Sequence, residues 1–257
     1  MSKRILFIVE GKKTERTFLK RLLSGLGITD ERNIFVFGTN IFVLYEKVFG
    51  KGDSEDIDLL GALREGAGAK DREILSKDYS DIYLVFDAEF QDQRFDSEHL
   101  GMMLKYFDNS TENGKLYLNY PMMESYLHLK SLDDSEYMTR TVALADIKQY
   151  KKTARDECCS ALSNASSYSR GLILVILSHN IRKTRLILMM GSGSGQDLEA
   201  VPDLGDQILV VQRKMQENEN KIYVLNTSVF IALEQDSRVL SEIFGEVKSS
   251  DDDGKRK

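Results

Sequence analysis

Residues 4–9 (RILFIV) form an apolar run with β-branched content, bounded by Gly11. Such a run suits a strand buried on both faces of a parallel sheet. From Thr14 the spacing changes. Phe18, Leu19, Leu22, Leu23 and Leu26 recur on one helical face, Gly27 closes it, and Thr14 is the expected N-cap. Lys13, Arg16 and Lys20 fall together on a different face of that helix. Further apolar runs stand at 34–37 (IFVF) and 41–45 (IFVLY), around a turn at Gly38, Thr39 and Asn40. Residues 50–80 are polar and glycine-rich, and predict a surface loop with one or two short helices.

Two more buried-strand patterns follow, IYLVF at 82–86 and KLYLNY at 115–120. From 121 to about 190 the pattern is mainly helical. After the loop GSGSGQDLEAVPDLG a further helix, DQILVVQRKMQENEN, leads to KIYVLNTSVFIAL, whose first part reads as a closing strand. Strands alternating with helices predict an α/β fold: a mostly parallel sheet with helices on both faces. We expect a core in 1–124, a helical insertion in 125–215, a closing strand and helix of the core in 216–247, and a disordered acidic tail in 248–257.

Composition narrows the class without choosing a function. A chain of 257 residues with 42% apolar and 30% charged side chains can bury a sizeable core. The longest apolar stretches, such as LILVIL at 172–177, are interrupted by Ser178, His179 and Arg182, short of the roughly 18 residues a membrane-spanning helix needs. The N-terminal run is too short for a secretory signal and ends in a charge. Cytoplasmic localisation and no membrane partner are therefore expected. Cys158 and Cys159 are adjacent and are the only cysteines, so neither a structural bridge nor a zinc site is expected. A net charge of −6 argues against coating nucleic acid by bulk electrostatics, but permits an enzyme that handles it locally.

The chemistry lies at strand ends. Two buried strands finish in a carboxylate, Glu10 and Asp87, and ligands of parallel sheets gather at those ends. Taken singly, Glu10 could complement a helix dipole and Asp87 could cap a turn. Together, with Gly11 and Glu89 placed beside them, they point to one oxygen-rich site. Such ligands suit Mg²⁺ or Mn²⁺, which bind phosphate oxygens. Lys12 and Lys13 are either solvated turn residues or phosphate contacts beside that site.

A strand ending in Val-Glu-Gly and followed by Thr-Glu and a helix (IVEGKKTE, 8–15) resembles the first motif of the Toprim domain. A later apolar strand ending in an acid with more acids after it (LVFDAEFQD, 84–92) resembles its second. With NYPMMESY, these segments look most like the small Toprim nucleases of bacterial anti-phage defence, OLD- and RloB-like proteins and the AriB type of the PARIS system among them. The resemblance covers residues 4–127 and the strand near 222–226. It implies that Glu10 is the metal-linked catalytic glutamate and that Asp87 and Glu89 occupy the Asp-x-Asp positions, with Glu one methylene longer at the second. It also implies Asp92 as a further metal ligand and Glu124, in the Pro-x-x-Glu-Ser segment, as an additional site residue. Lys12, Lys13 and Arg16 are the matching substrate-binding candidates.

Other signals are weaker. GSGSG at 191–195 is not followed by Lys-Ser/Thr and reads as a flexible connection rather than a phosphate loop. His99, His128 and His179 have no ligand spacing. The clusters Arg182, Lys183, Arg185 and Lys151, Lys152, Arg155 could touch nucleic acid, a partner protein or neither. The expected function is a Mg²⁺- or Mn²⁺-dependent nuclease acting on tRNA or DNA, the toxic effector of a defence system. The resemblance further implies control by an ABC- or SMC-like ATPase partner and a homodimer. The rivals are a non-catalytic Toprim-like protein that binds metal or nucleotide, and a primase-like nucleotidyl transferase.

Overall fold

The computed structural model describes residues 3–50, 57–192 and 201–245. The apolar run at the N-terminus is strand β1 (Arg4–Val9), followed by helix α1 (Thr14–Gly25) and strand β2 (Glu31–Val36). Helices α2 (Ile41–Phe49), α3 (Leu59–Arg64) and α4 (Ala69–Leu75) lead to β3 (Asp81–Asp87). Helix α5 (Ser97–Tyr106) then precedes β4 (Asp108–Asn109) and β5 (Gly114–Asn119). These strands form one five-stranded sheet in the order β2-β1-β3-β5-β4, parallel except for β4. The fold is α/β, with a mostly parallel sheet flanked by helices.

The topology creates a site before any side chain is considered. The chain leaves β1 for β2 on one side and leaves β3 for β5 on the other, so the connections diverge between the two central strands. With right-handed crossovers, α1 and α5 fall on opposite faces, and a crevice opens at the carboxyl ends of β1 and β3. Both strands are almost wholly buried, as an apolar run without alternation requires.

Helix α1 buries the predicted face: Phe18, Leu19, Leu22 and Leu23 are at most 1% exposed. At about 1.5–3 kcal/mol per buried large apolar side chain, that stripe anchors the loop that carries Glu10. Its N-cap is Lys13 rather than Thr14. The Thr14 hydroxyl instead donates to Glu124 Oε1 at 3.3 Å. The IFVLY run is not extended. Asn40 takes the N-cap position of α2, its side chain accepting from the Val43 amide at 3.3 Å, which commits the apolar residues to a helix.

The segment after β5 contains short 3₁₀ turns, at Met123–Leu127 and Ser135–Thr139, and strand β6 (Thr141–Ala143). Helices α6 (Ile147–Glu157), α7 (Arg170–Ser192) and α8 (Gly205–Glu219) follow. The expected closing strand exists as β7 (Lys221–Tyr223), but it pairs antiparallel with β6 in a separate two-stranded sheet. A single bridge between Tyr120 and Leu225 links this region to the end of β5. The helical layer therefore shares one continuous apolar core with the five-stranded sheet. Lys183, expected among surface cations, is fully buried. Its ammonium donates to the Tyr137 and Arg140 carbonyls at 2.8 and 2.6 Å, so it organises the layer's interior. The acidic tail and residues 193–195 of GSGSG lie outside the described residues.

Candidate functional site

Glu10 follows the last residue of β1, and its backbone is pinned on both sides. Its amide donates to Val85 O at 3.4 Å and its carbonyl accepts from Gly38 N at 3.1 Å. The side chain turns toward β3, where Oε2 accepts from the Asp87 amide at 3.4 Å. Asp87 ends β3, with Oδ1 accepting from Met123 N at 2.7 Å, so the segment after β5 is tied to the same carboxylate. Glu89 stands just beyond, at φ +52°. A left-handed conformation in a non-glycine residue costs on the order of 1–3 kcal/mol and concentrates at functional sites. Gln91 Nε2 holds Glu89 Oε2 at 2.7 Å.

These restraints bring the three carboxylates together. Glu10, Asp87 and Glu89 each offer an oxygen, and all three oxygens lie within 4.8 Å of one another. Among the described residues no Lys or Arg forms an ion pair with any of them. Burial raises the Glu10 carboxyl to about 8, with Glu89 and Glu15 adding repulsion against the lowering effect of the Asp87 amide. Burial also lifts Asp87 well above the usual carboxylate range, reinforced by Glu10, Glu15, Glu89 and Glu124. Glu89 is raised by burial and by Asp92, against the opposing charge of Arg94. Without a cation, this cluster holds protons that free carboxylates would lose at neutral pH.

The donor set fits a hard divalent ion. Three carboxylate oxygens within 4.8 Å of one another are near enough to share one such ion, whose bonds to oxygen are about 2.1 Å. All the donors are carboxylate oxygens, the ligand type that hard divalent ions take.

Asp92 is not part of this cluster. Its carboxylate is taken by Arg94, at 2.9 and 3.1 Å, and by Asn40 Nδ2 at 2.8 Å. Arg94 in particular keeps its pKa below normal. The expected fourth ligand is instead a brace between the loop after β3 and the N-terminus of α2. Glu124 reaches the edge of the site but is already compensated. It is 3% exposed, and its Oε1 contacts Lys151 Nζ at 2.6 Å and Arg155 Nη2 at 3.4 Å. Lys12, Lys13 and Arg16 are exposed at the start of α1, on the rim of the crevice.

Glu15 is a site residue that the motif contained and sequence reasoning left without a role. It is 8% exposed, and burial followed by repulsion from Glu124 raises its pKa, against opposing backbone hydrogen bonds and Lys151. Its signal is Gly11, four residues earlier. A Cβ there would stand 2.5 Å from Glu15 Oε1, so glycine is what lets the carboxylate fold back over the turn. No family model, curated protein or solved structure matches this chain.

Proposed function

We propose that this chain is a metal-dependent phosphodiesterase of the Toprim type that cuts nucleic acid. The observation that carries the reading is the convergence of three unneutralised carboxylates at the divergence point of a parallel sheet. Carboxylates crowded together in a partly buried site without an ion-pair partner raise one another's pKa, a perturbation that clusters at functional sites. Glu10, Asp87 and Glu89 are the residues that would hold Mg²⁺ or Mn²⁺. A bound ion of this kind makes water a better nucleophile at neutral pH and offsets charge on the phosphodiester.

The chain's own groups supply the rest. In this reading Glu10, ionised once a cation is bound, would accept the proton of an attacking water. The Asp87 carboxylate is oriented by the Met123 amide, and the Glu89 carboxylate by Gln91. Lys12, Lys13 and Arg16 offer exposed cations to flanking phosphates, which fix a strand's register without reading its sequence. The proposal includes a role as toxic effector in anti-phage defence, in the cytoplasm, restrained by an ABC- or SMC-like ATPase. It also includes self-association, supported by the exposed Met189, Met190 and Val210 of α7 and α8. No helix among the described residues is long and apolar enough to cross a membrane.

The test is cleavage of labelled RNA and DNA by the purified protein in Mg²⁺, Mn²⁺ or EDTA, beside Glu10→Gln. Cleavage that needs the ion and Glu10 supports the reading. Metal binding without cleavage of either nucleic acid would leave a non-catalytic metal-binding protein.

A further inference from the structure

Helix α6 belongs to the helical layer, yet two of its cations reach the acid site. Its buried face is Ile147, Tyr150 and Ala154, packed on the 3₁₀ turn that carries Glu124. Tyr150 Oη meets His128 Nδ1 at 3.0 Å, which fixes the helix against the same segment. Its outward face carries Lys148, Lys151, Lys152 and Arg155, all exposed, at spacings of three and four residues. Lys151 and Arg155 are 51% and 54% exposed even though both touch Glu124 Oε1.

Glu124 also accepts from the Thr14 hydroxyl, on the first turn of α1. One buried carboxylate thus ties two basic surfaces to the rim of the crevice: Lys12 and Lys13 before α1, and the cationic face of α6. The acids lie inside this rim, with Asp87 bonded to Met123, the residue before Glu124.

We propose that the α6 face is the surface that binds the phosphodiester backbone of the nucleic-acid substrate, and that Glu124 is a positioning residue rather than a metal ligand. The inference rests on the phosphodiesterase reading. It adds which part of the helical layer meets the substrate and what Glu124 does. The lysine, the arginine and the hydroxyl all meet Oε1 and compensate the Glu124 charge, and Glu124 lies outside the group of carboxylates whose oxygens converge. The same contacts hold two cations against the segment that also carries Met123, while about half of each side chain stays open to an incoming backbone. Such a track is sequence-blind, and its strength falls with salt.

The experiment measures binding of fluorescein-labelled RNA and DNA oligonucleotides by anisotropy in EDTA, across a salt series. The proteins are the parent, the Lys151→Ala/Arg155→Ala double variant, Lys151→Arg and Glu124→Gln. Loss of two phosphate contacts should lower the slope of log Kobs against log salt by about 1.5–2, while Lys151→Arg stays near the parent. Glu124→Gln frees both cations and removes a negative charge. It should therefore keep or tighten binding while lowering kcat and leaving the Mn²⁺-induced rise in Tm intact. An unchanged salt slope in the double variant, or no salt-dependent binding by the parent, overturns the surface. A Glu124→Gln variant that loses the Mn²⁺ response overturns the positioning role. If the slope falls as stated but the parent cuts nothing, the surface stands and the phosphodiesterase reading fails. If Glu10→Gln abolishes cleavage while the double variant binds like the parent, the reverse holds.

Discussion

The two ends of the central sheet treat buried charge in opposite ways. At the start of β5, Lys115 is 8% exposed and forms ion pairs with both Asp203 and Glu234, while Tyr117 Oη donates to Glu234 at 2.6 Å. Burial alone would push the lysine toward neutrality, but Glu234 and Asp203 outweigh it and hold its pKa above normal. A cavity of about 700 Å³ opens beside this group, and the charged group at its wall is already satisfied. At the far end three carboxylates face one another, and among the described residues no Lys or Arg forms an ion pair with them. At the first end ion pairs hold the charge; at the second the acids raise one another's pKa, a pattern that clusters at functional sites.

The largest expected effect lies at the unpaired end. Glu10→Gln preserves shape and removes one ligand charge, so metal-dependent cleavage should fall by roughly a thousandfold or more, about 4 kcal/mol of barrier. Single-turnover assays check it, with circular dichroism to confirm the fold. The paired end should respond in stability instead. Lys115→Met strands Glu234 beside Tyr117 and should cost about 3–5 kcal/mol, read as a lower urea midpoint with unchanged slope. An equal loss of stability in Glu10→Gln would erase the contrast between the two ends.

Removing charge from the acid cluster should have the opposite sign. Asp87→Asn keeps the oxygen that accepts from Met123, so the metal-free protein should melt higher than the parent at pH 8. The smallest effect is expected at Gln91. Its amide holds Glu89 and its own Oε1 is buried without a partner, so Gln91→Ala should weaken Mn²⁺ binding by about tenfold with little change in fold stability. Isothermal titration calorimetry reads this directly.

Much of this contrast was legible in the amino-acid order, because it depends on strand ends. An apolar run that stops at Glu10 and another that stops at Asp87 place both acids on one edge of a parallel sheet without any knowledge of loops. Glu89 follows from being two residues further on. Asp92 shows the limit of that logic. It is close in sequence, but Arg94 and Asn40 claim it, and nothing local to residues 87–92 announces a partner at position 40. The same Asn40 caps α2, the helix that the IFVLY run opens, and the apolar run alone did not choose between helix and strand. Strand β7 read correctly as extended, but pairing partners are a long-range choice, and β6 took it. The surface role expected of Lys183 failed because α7 is covered along most of its length, so a lysine there had to find carbonyls.

The central claim, that the three acids form a cation site, is tested most directly by melting curves across pH with and without Mn²⁺. The folded protein keeps a proton on Glu10 up to about pH 8, whereas the unfolded chain loses it near 4.5. Metal-free stability should therefore fall as pH rises through that window. Mn²⁺ should restore it, with a gain that grows from pH 5 to pH 8 in the parent and is absent in Glu10→Gln. An equal Mn²⁺ gain in both proteins, or none in the parent at pH 8, would contradict the account.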